Sequence, residues 1–230
     1  MNKHVIALRQ VSWASCLCLL ALMGLTLTTG HSQQTFEFAG STQAYAARLI
    51  QAASSLRWLV ALDDVFIACY VTATLLFVRE LTNANDDSAL SGQTHALAPW
   101  IAALGLSAGL LDFTENHHIL SLLRLAQDGL ALDATQLTLR ETLSSLKWLA
   151  GHLAFFMVGL SLPNTTAPLR LFRASLLLIQ LPVGACALVM AGLPMGDLFN
   201  WLRLINVVVG FVFLAMLVPL PRAVDSGEPV

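Results

Sequence analysis

GLSAGLLDFTENHH, residues 105–118, starts as an ordinary membrane-spanning helix. It then sets Asp112, Glu115 and Asn116 within two turns and follows them with His117 and His118. At 100° per residue Asp112, Glu115 and Asn116 fall on one helix face, and Gly105, Ala108 and Gly109 continue that face with small residues. Gly105-x-x-x-Gly109 permits close helix approach in a membrane. The stretch therefore predicts the central helix of a bundle, packed through its small residues and carrying a polar cluster beyond them.

The rest of the chain agrees with that environment. Of its 230 residues 57% are hydrophobic and 11% charged, with a mean hydropathy of +0.71; soluble domains carry about 25% charged residues. A helix needs roughly 20 apolar residues to cross the hydrocarbon core. Six stretches qualify: 11–29, 57–78, 97–120, 143–162, 171–192 and 199–220. The expected fold is an all-α polytopic integral membrane bundle of six transmembrane helices, one domain over 1–230. A net charge of −2 without a basic patch excludes a nucleic-acid partner. Cys16, Cys18, Cys69 and Cys186 lie inside apolar runs and read as small buried apolar residues, not as a disulfide frame or a zinc site.

Val11 to Thr29 follows Lys3 and Arg9 without a charge. It exceeds the 7–15 apolar residues of a signal peptide, which predicts an uncleaved anchor, with cleavage near Thr28-Thr29-Gly30 as the alternative. Ser41 is a good N-cap. A helix running unbroken over 42–78 would be roughly 55 Å long, too long for one crossing. It is expected to project from the membrane, to bend near Ser54-Ser55, or to begin as an amphipathic segment on the interface. Gly129 marks a break, Asp133 to Gln136 a capping box, and Pro163 and Pro168 a short loop; Pro182 predicts a kink, and the tail after Pro219 is polar. SSLRWL at 54–59 recurs as SSLKWL at 144–149. This is either a parallel repeat of the kind found in transport folds or shared interface chemistry of a basic residue and a Trp.

Counting Lys and Arg on alternate loops gives six on each side, so orientation rests on Lys3/Arg9 and Arg170/Arg173, which stand without neighbouring acids and favour both termini inside. In either orientation Asp63 and Asp64, Asp112 to Asn116, Lys147 and His152, and Asn200, Arg203 and Asn206 share one depth near the same end of the bundle. Asp63, Tyr70 and Thr74 align on one face of the second span. An ion at mid-membrane costs roughly 2.5–3.5 kcal/mol on insertion scales, so these acids need partners. Arg57, Lys147, Arg203 and the histidines are the candidates.

FEFAGS (36–41), LDDVFIACY (62–70), LDFTEN (111–116) and LKWLAGHLAFFMVGL (146–160) together resemble a family of small bacterial multi-pass membrane proteins. Its pattern runs Phe-Glu-x-Ala-Gly-Ser/Thr, Leu-Asp-x-x-Phe-x-x-x-Tyr, Asp-x-x-Glu-Asn, then a Lys-aromatic pair opening a later span. The resemblance covers roughly 35–160 and implies shared positions at Glu37, Asp63, Tyr70, Asp112, Glu115, Asn116 and Lys147. It supplies no activity. His117, His118 and His152 lie outside the pattern, which favours a carboxylate–lysine network over a metal site.

The functional expectation is a bacterial inner-membrane protein that binds or transports a lipid headgroup or small polar solute. Asp63, Tyr70, Asp112, Glu115, Asn116, Lys147 and Arg203 form its ligand site near the outer face, with membrane lipids as partners and no cofactor. One alternative is a metal-dependent membrane hydrolase or lipid-modifying enzyme using His118, His152, Glu115 and Asp63. The other is a structural or assembly subunit in which the network only locks the bundle. Haem would want opposed histidines across the core, and a serine catalyst would want a nucleophile elbow; the sequence has neither.

Overall fold

The computed structural model describes residues 3–37, 40–85, 91–190 and 196–220. They form α1 (Lys3–Thr29), a 3-10 turn at Gln33–Phe36, α2 (Thr42–Gln51), α3 (Ala53–Asn85), α4 (Ser91–Gln127), α5 (Ala134–Ser161), α6 (Ala167–Leu178), α7 (Gln180–Val189) and α8 (Gly196–Leu217), with no strand among the described residues. Among the described residues six segments are long and apolar enough to cross a membrane: α1, α3, α4, α5, the α6–α7 pair and α8.

These six make a closed ring in chain order. α1 packs on α3, α3 on α4, α4 on α5, α5 on α6 and α7, α7 on α8, and α8 returns to α1. The expectation of a central third span is therefore corrected: that span, α4, is one stave of the ring, packed chiefly between α3 and α5, with Trp100, Leu106, Leu110 and Phe113 facing outward. Its glycines do serve close approach, but to α3 alone. A Cβ on Gly105 would meet Thr74 Cγ2 at 2.7 Å, and one on Gly109 would collide with a methyl of Val71. Valine is stiff at χ1, so Gly109→Ala is expected to lower stability by about 1–3 kcal/mol through overpacking. Thermal unfolding in detergent reads this directly. Gly24→Ala, whose Cβ meets nothing within 4 Å, serves as the control that does not lower the midpoint.

Local signals set the helix ends. Ser41 Oγ accepts from Ala44 N, and Asp133 with Gln136 closes a full capping box. Gly129, at φ +72°, ends α4 while Leu130 N bonds back to Leu125 O, the αL closure that glycine favours. The predicted bend after α2 falls at Ala52, two residues before Ser54, where φ −90° and ψ 3° leave the helix for one residue. The fifth span breaks at Ile179, ahead of Pro182; proline has no N–H to give the Leu178 carbonyl. At the end of the ring that holds Lys3, Arg9 reaches the end of α8 and donates to the carbonyls of Ala215 (3.1 Å) and Val218 (2.8 Å), which the helix itself leaves unpaired.

The repeated hexapeptides are not placed equivalently. Arg57 and Trp58 face outward, whereas Lys147 faces the bundle interior, so the shared hexapeptide marks neither a common structural position nor a common interface role. Of the four cysteines only Cys16 is fully buried; the other three are half-buried. Residues 38–39 of the FEFAGS motif, 86–90 of the polar connection and the tail from 221 lie outside the described residues.

Two apolar cores result. The larger runs through the ring and includes Leu8, Phe77, Ile101, Val158, Phe172 and Phe211. The smaller sits at the opposite end from Lys3, where Phe36, Tyr45, Leu49, Leu56, Leu122 and Leu137 join the 3-10 turn and α2 to the ends of α3, α4 and α5. Phe36 and Tyr45 meet edge to face at 6.2 Å, and the Tyr45 hydroxyl donates to the Phe36 carbonyl. This second core forms a lid, and the polar cluster lies between it and the membrane core.

Candidate functional site

The cluster is drawn from α3, α4, α5, α8 and the turn after α1. Lys147 is the hub of its ionic part, and Asp63, Asn116 and Gln33 form a second, hydrogen-bonded group that meets it at the same cavity. Lys147 Nζ lies 2.8 Å from Asp112 Oδ1, 2.5 Å from Glu115 Oε2 and 3.7 Å from Glu37 Oε1. Only the Asp112 contact is a hydrogen bond; Glu115 and Glu37 pair with the ammonium by charge. Glu115 shares its other oxygen, Oε1, with Arg140, and both side chains are fully buried. Glu37 Oε2 accepts from Arg203 at 3.4 Å, while its Oε1 accepts from the Trp148 indole at 3.1 Å. The Arg203 guanidinium stacks over that indole, 3.4 Å from the ring centre, and donates to Asn200 at 3.0 Å. Tyr70 donates to Asp112 Oδ2 at 3.4 Å. Asn116 donates to Asp63 Oδ2 and to Asp64 Oδ1, both at 2.9 Å, and Gln33 bridges Asp63 Oδ2 and Asn116 Oδ1.

Each of these groups alone would be costly to bury, and their pairing explains why they persist there. Glu37, outside the spans, makes the balance visible. Burial by itself would raise its pKa, but Arg203, Lys147 and the Trp148 N–H outweigh burial and hold the carboxyl below its ordinary value. Tyr45, in the lid, is pushed the other way by burial.

The structure brings all seven sequence-derived site residues to this cluster, Tyr70, Asp112, Glu115, Lys147 and Arg203 in the ionic part and Asp63 and Asn116 in the hydrogen-bonded group beside it. It does not gather the histidines. His118 lies beside Arg140 and Glu115, His117 stands 3.7 Å from Asp64 near the surface, and His152 stacks on Trp148 with its ring against Gly184. Among the described residues no three His, Cys, Asp or Glu side chains are placed to hold a metal ion. Arg57, a candidate counter-ion, is exposed and donates to Gln127 instead.

Arg140, Gln33 and Trp148 join the site beyond the residues expected from the sequence, and Glu37 is implied there only by the resemblance. Arg140 carried a legible signal: Arg140, Ser144 and Lys147 follow at i, i+4 and i+7, one face of α5, and all three are buried. Gln33 carried none, because a loop residue has no periodicity to read.

Below the network the ring encloses a cavity of about 220 Å³. Asp63, Asp112, Lys147 and Gln33 line its head, and Phe77, Ile101, Val158, Phe211 and Leu214 line its depth. Along α3 the lining runs from Asp63 to Phe77, roughly 21 Å at 1.5 Å per residue, most of a hydrocarbon core about 30 Å thick. A long, narrow, apolar slot with a charged head is what these residues build. The fold and site thus define a polytopic helical ring with an ionic network over an apolar interior. No family model, curated protein or solved structure matches the chain.

Proposed function

We propose that the protein binds an amphiphile inside the ring, with its polar head at Asp63, Asp112 and Lys147 and its chain in the slot toward Leu214. One observation carries this reading: the cavity is continuous from buried charged groups to wholly apolar depth. A small polar solute would match the head but leave the depth empty. Binding sites are typically apolar with a few placed polar groups. The protein belongs, in this reading, to a bacterial inner membrane, with the network toward the outer face. All seven positions that carry the family resemblance lie in the cluster, which supports a site common to that family.

A locking role for part of the network is favoured by a separate observation. Glu115 and Arg140 are fully buried and do not line the cavity. They serve to hold α4 on α5, while Asp63, Asp112 and Lys147 face the ligand.

Gly210 provides the test. It lines the slot, and a Cβ there meets nothing within 4 Å. Gly210→Phe is expected to fold with an undiminished midpoint and to lose the single amphiphile that native mass spectrometry finds on the wild-type protein. Equal occupancy in the two proteins, or a wild-type protein that carries none, would contradict the proposal.

A further inference from the structure

We infer that the amphiphile held in the slot carries a protonated amine, and that Asp63 is its counter-ion; this rests on the amphiphile site proposed above. Four buried carboxylates, Glu37, Asp63, Asp112 and Glu115, face three buried cations, Arg140, Lys147 and Arg203, and none of the seven is more than 9% exposed. Three of the acids have a cation within 4 Å: Glu37 has Lys147 and Arg203, Asp112 has Lys147, and Glu115 has Lys147 and Arg140. Among the described residues Asp63 has none. Its bonds come from two neutral amides, Gln33 and Asn116, and both reach the same oxygen, Oδ2. Oδ1 has no hydrogen bond among the described residues, and Asp63 lines the head of the cavity.

The other head groups narrow the chemistry further. Lys147 is already ringed by three carboxylates within 4 Å, so its charge is more than balanced before any phosphate or carboxylate arrives. Tyr70 is engaged with Asp112. An anionic head group entering here would meet the like charge of Asp63 and Asp112 at close range, which suppresses the wrong partner. A cationic head group would supply the counter-charge that Asp63 lacks among the described residues and would donate to its open oxygen, the stronger, charge-assisted kind of hydrogen bond. The slot below takes an apolar chain, so the ligand class is a long-chain primary amine or a lipid whose head presents one.

The test uses the full chain in phosphatidylcholine nanodiscs at pH 7, with empty nanodiscs as the blank. Dodecylamine, dodecanol, dodecanoate and propylamine are titrated by calorimetry; the amine probes are protonated at this pH. Dodecylamine is expected to bind saturably and about tenfold or more tighter than dodecanol, with dodecanoate weakest, since hydrogen bonds to charged groups exceed neutral ones by this order. Asp63→Asn is expected to abolish the preference for the amine over the alcohol, and Asp63→Glu to restore it. The wild-type comparison decides the question even where Asp63→Asn fails to fold. Equal binding of dodecylamine, dodecanol and dodecanoate would overturn the amine while leaving the amphiphile site standing. Propylamine as tight as dodecylamine would overturn the chain requirement and point to a free amine. No saturable binding by any C12 probe would overturn this inference and the proposed function together.

Discussion

Lys147→Met is expected to cost about 3–5 kcal/mol of stability, the range for removing one partner from a buried ion pair. The reason is local. Among the described residues Lys147 is the only cation within 4 Å of Asp112, and it shares Glu115 with Arg140 and Glu37 with Arg203. Methionine fills much of the same space but leaves Asp112 charged and uncompensated in an apolar surround. Adding Asp112→Asn to Lys147→Met removes the stranded charge, and the double variant should recover part of the loss. Residues in one network couple by about 0.5–3 kcal/mol. The measurement is reversible unfolding in mixed detergent micelles for the two single variants and the double. Strict additivity would show that Lys147 and Asp112 do not act on one another.

Arg140→Met should be comparably severe, about 3–5 kcal/mol, although Arg140 lies near the start of α5. Its side chain is fully buried against Glu115 between the ring and the lid core of Phe36, Tyr45 and Leu137. Glu115→Gln strands the arginine and should cost a similar amount, while Arg140→Met with Glu115→Gln should cost less than the two singles summed. Helix content should fall first at the lid end, read as hydrogen exchange in α2 and the start of α5. A cost below about 1 kcal/mol for Arg140→Met, the value of an exposed pair, would show that this end is open to water.

How far the sequence reveals these residues depends on the kind of signal each carries. The six spans, the capping box at Asp133 and the shared face of Asp112, Glu115 and Asn116 follow from hydropathy and helical period, which act within one helix. The common depth of Asp63, Asp112, Lys147 and Arg203 follows from counting along antiparallel helices. What period and depth do not contain is azimuth, the direction each helix turns its polar face. α4 reads as central because its small residues suit close packing on any neighbour; the ring uses them on α3 alone. Arg57 and Lys147 look interchangeable within their hexapeptides, yet one faces outward and the other is the hub. The lid was invisible for a related reason: α2 is short, and its burial depends on Phe36 and Leu137, distant in sequence and joined only in the fold. Asp63, for its part, is recognisable as an intramembrane acid, but its lack of a cation among the described residues emerges only once their charges are placed in the fold.

The most direct test is an experimental density map of the protein purified from its native membrane and held in a lipid nanodisc, at a resolution that shows ordered lipid. The account predicts elongated density inside the ring, beginning beside Asp63 and Lys147 and ending near Leu214. A cavity closed by repacked side chains, or one holding only water along its length, would contradict it.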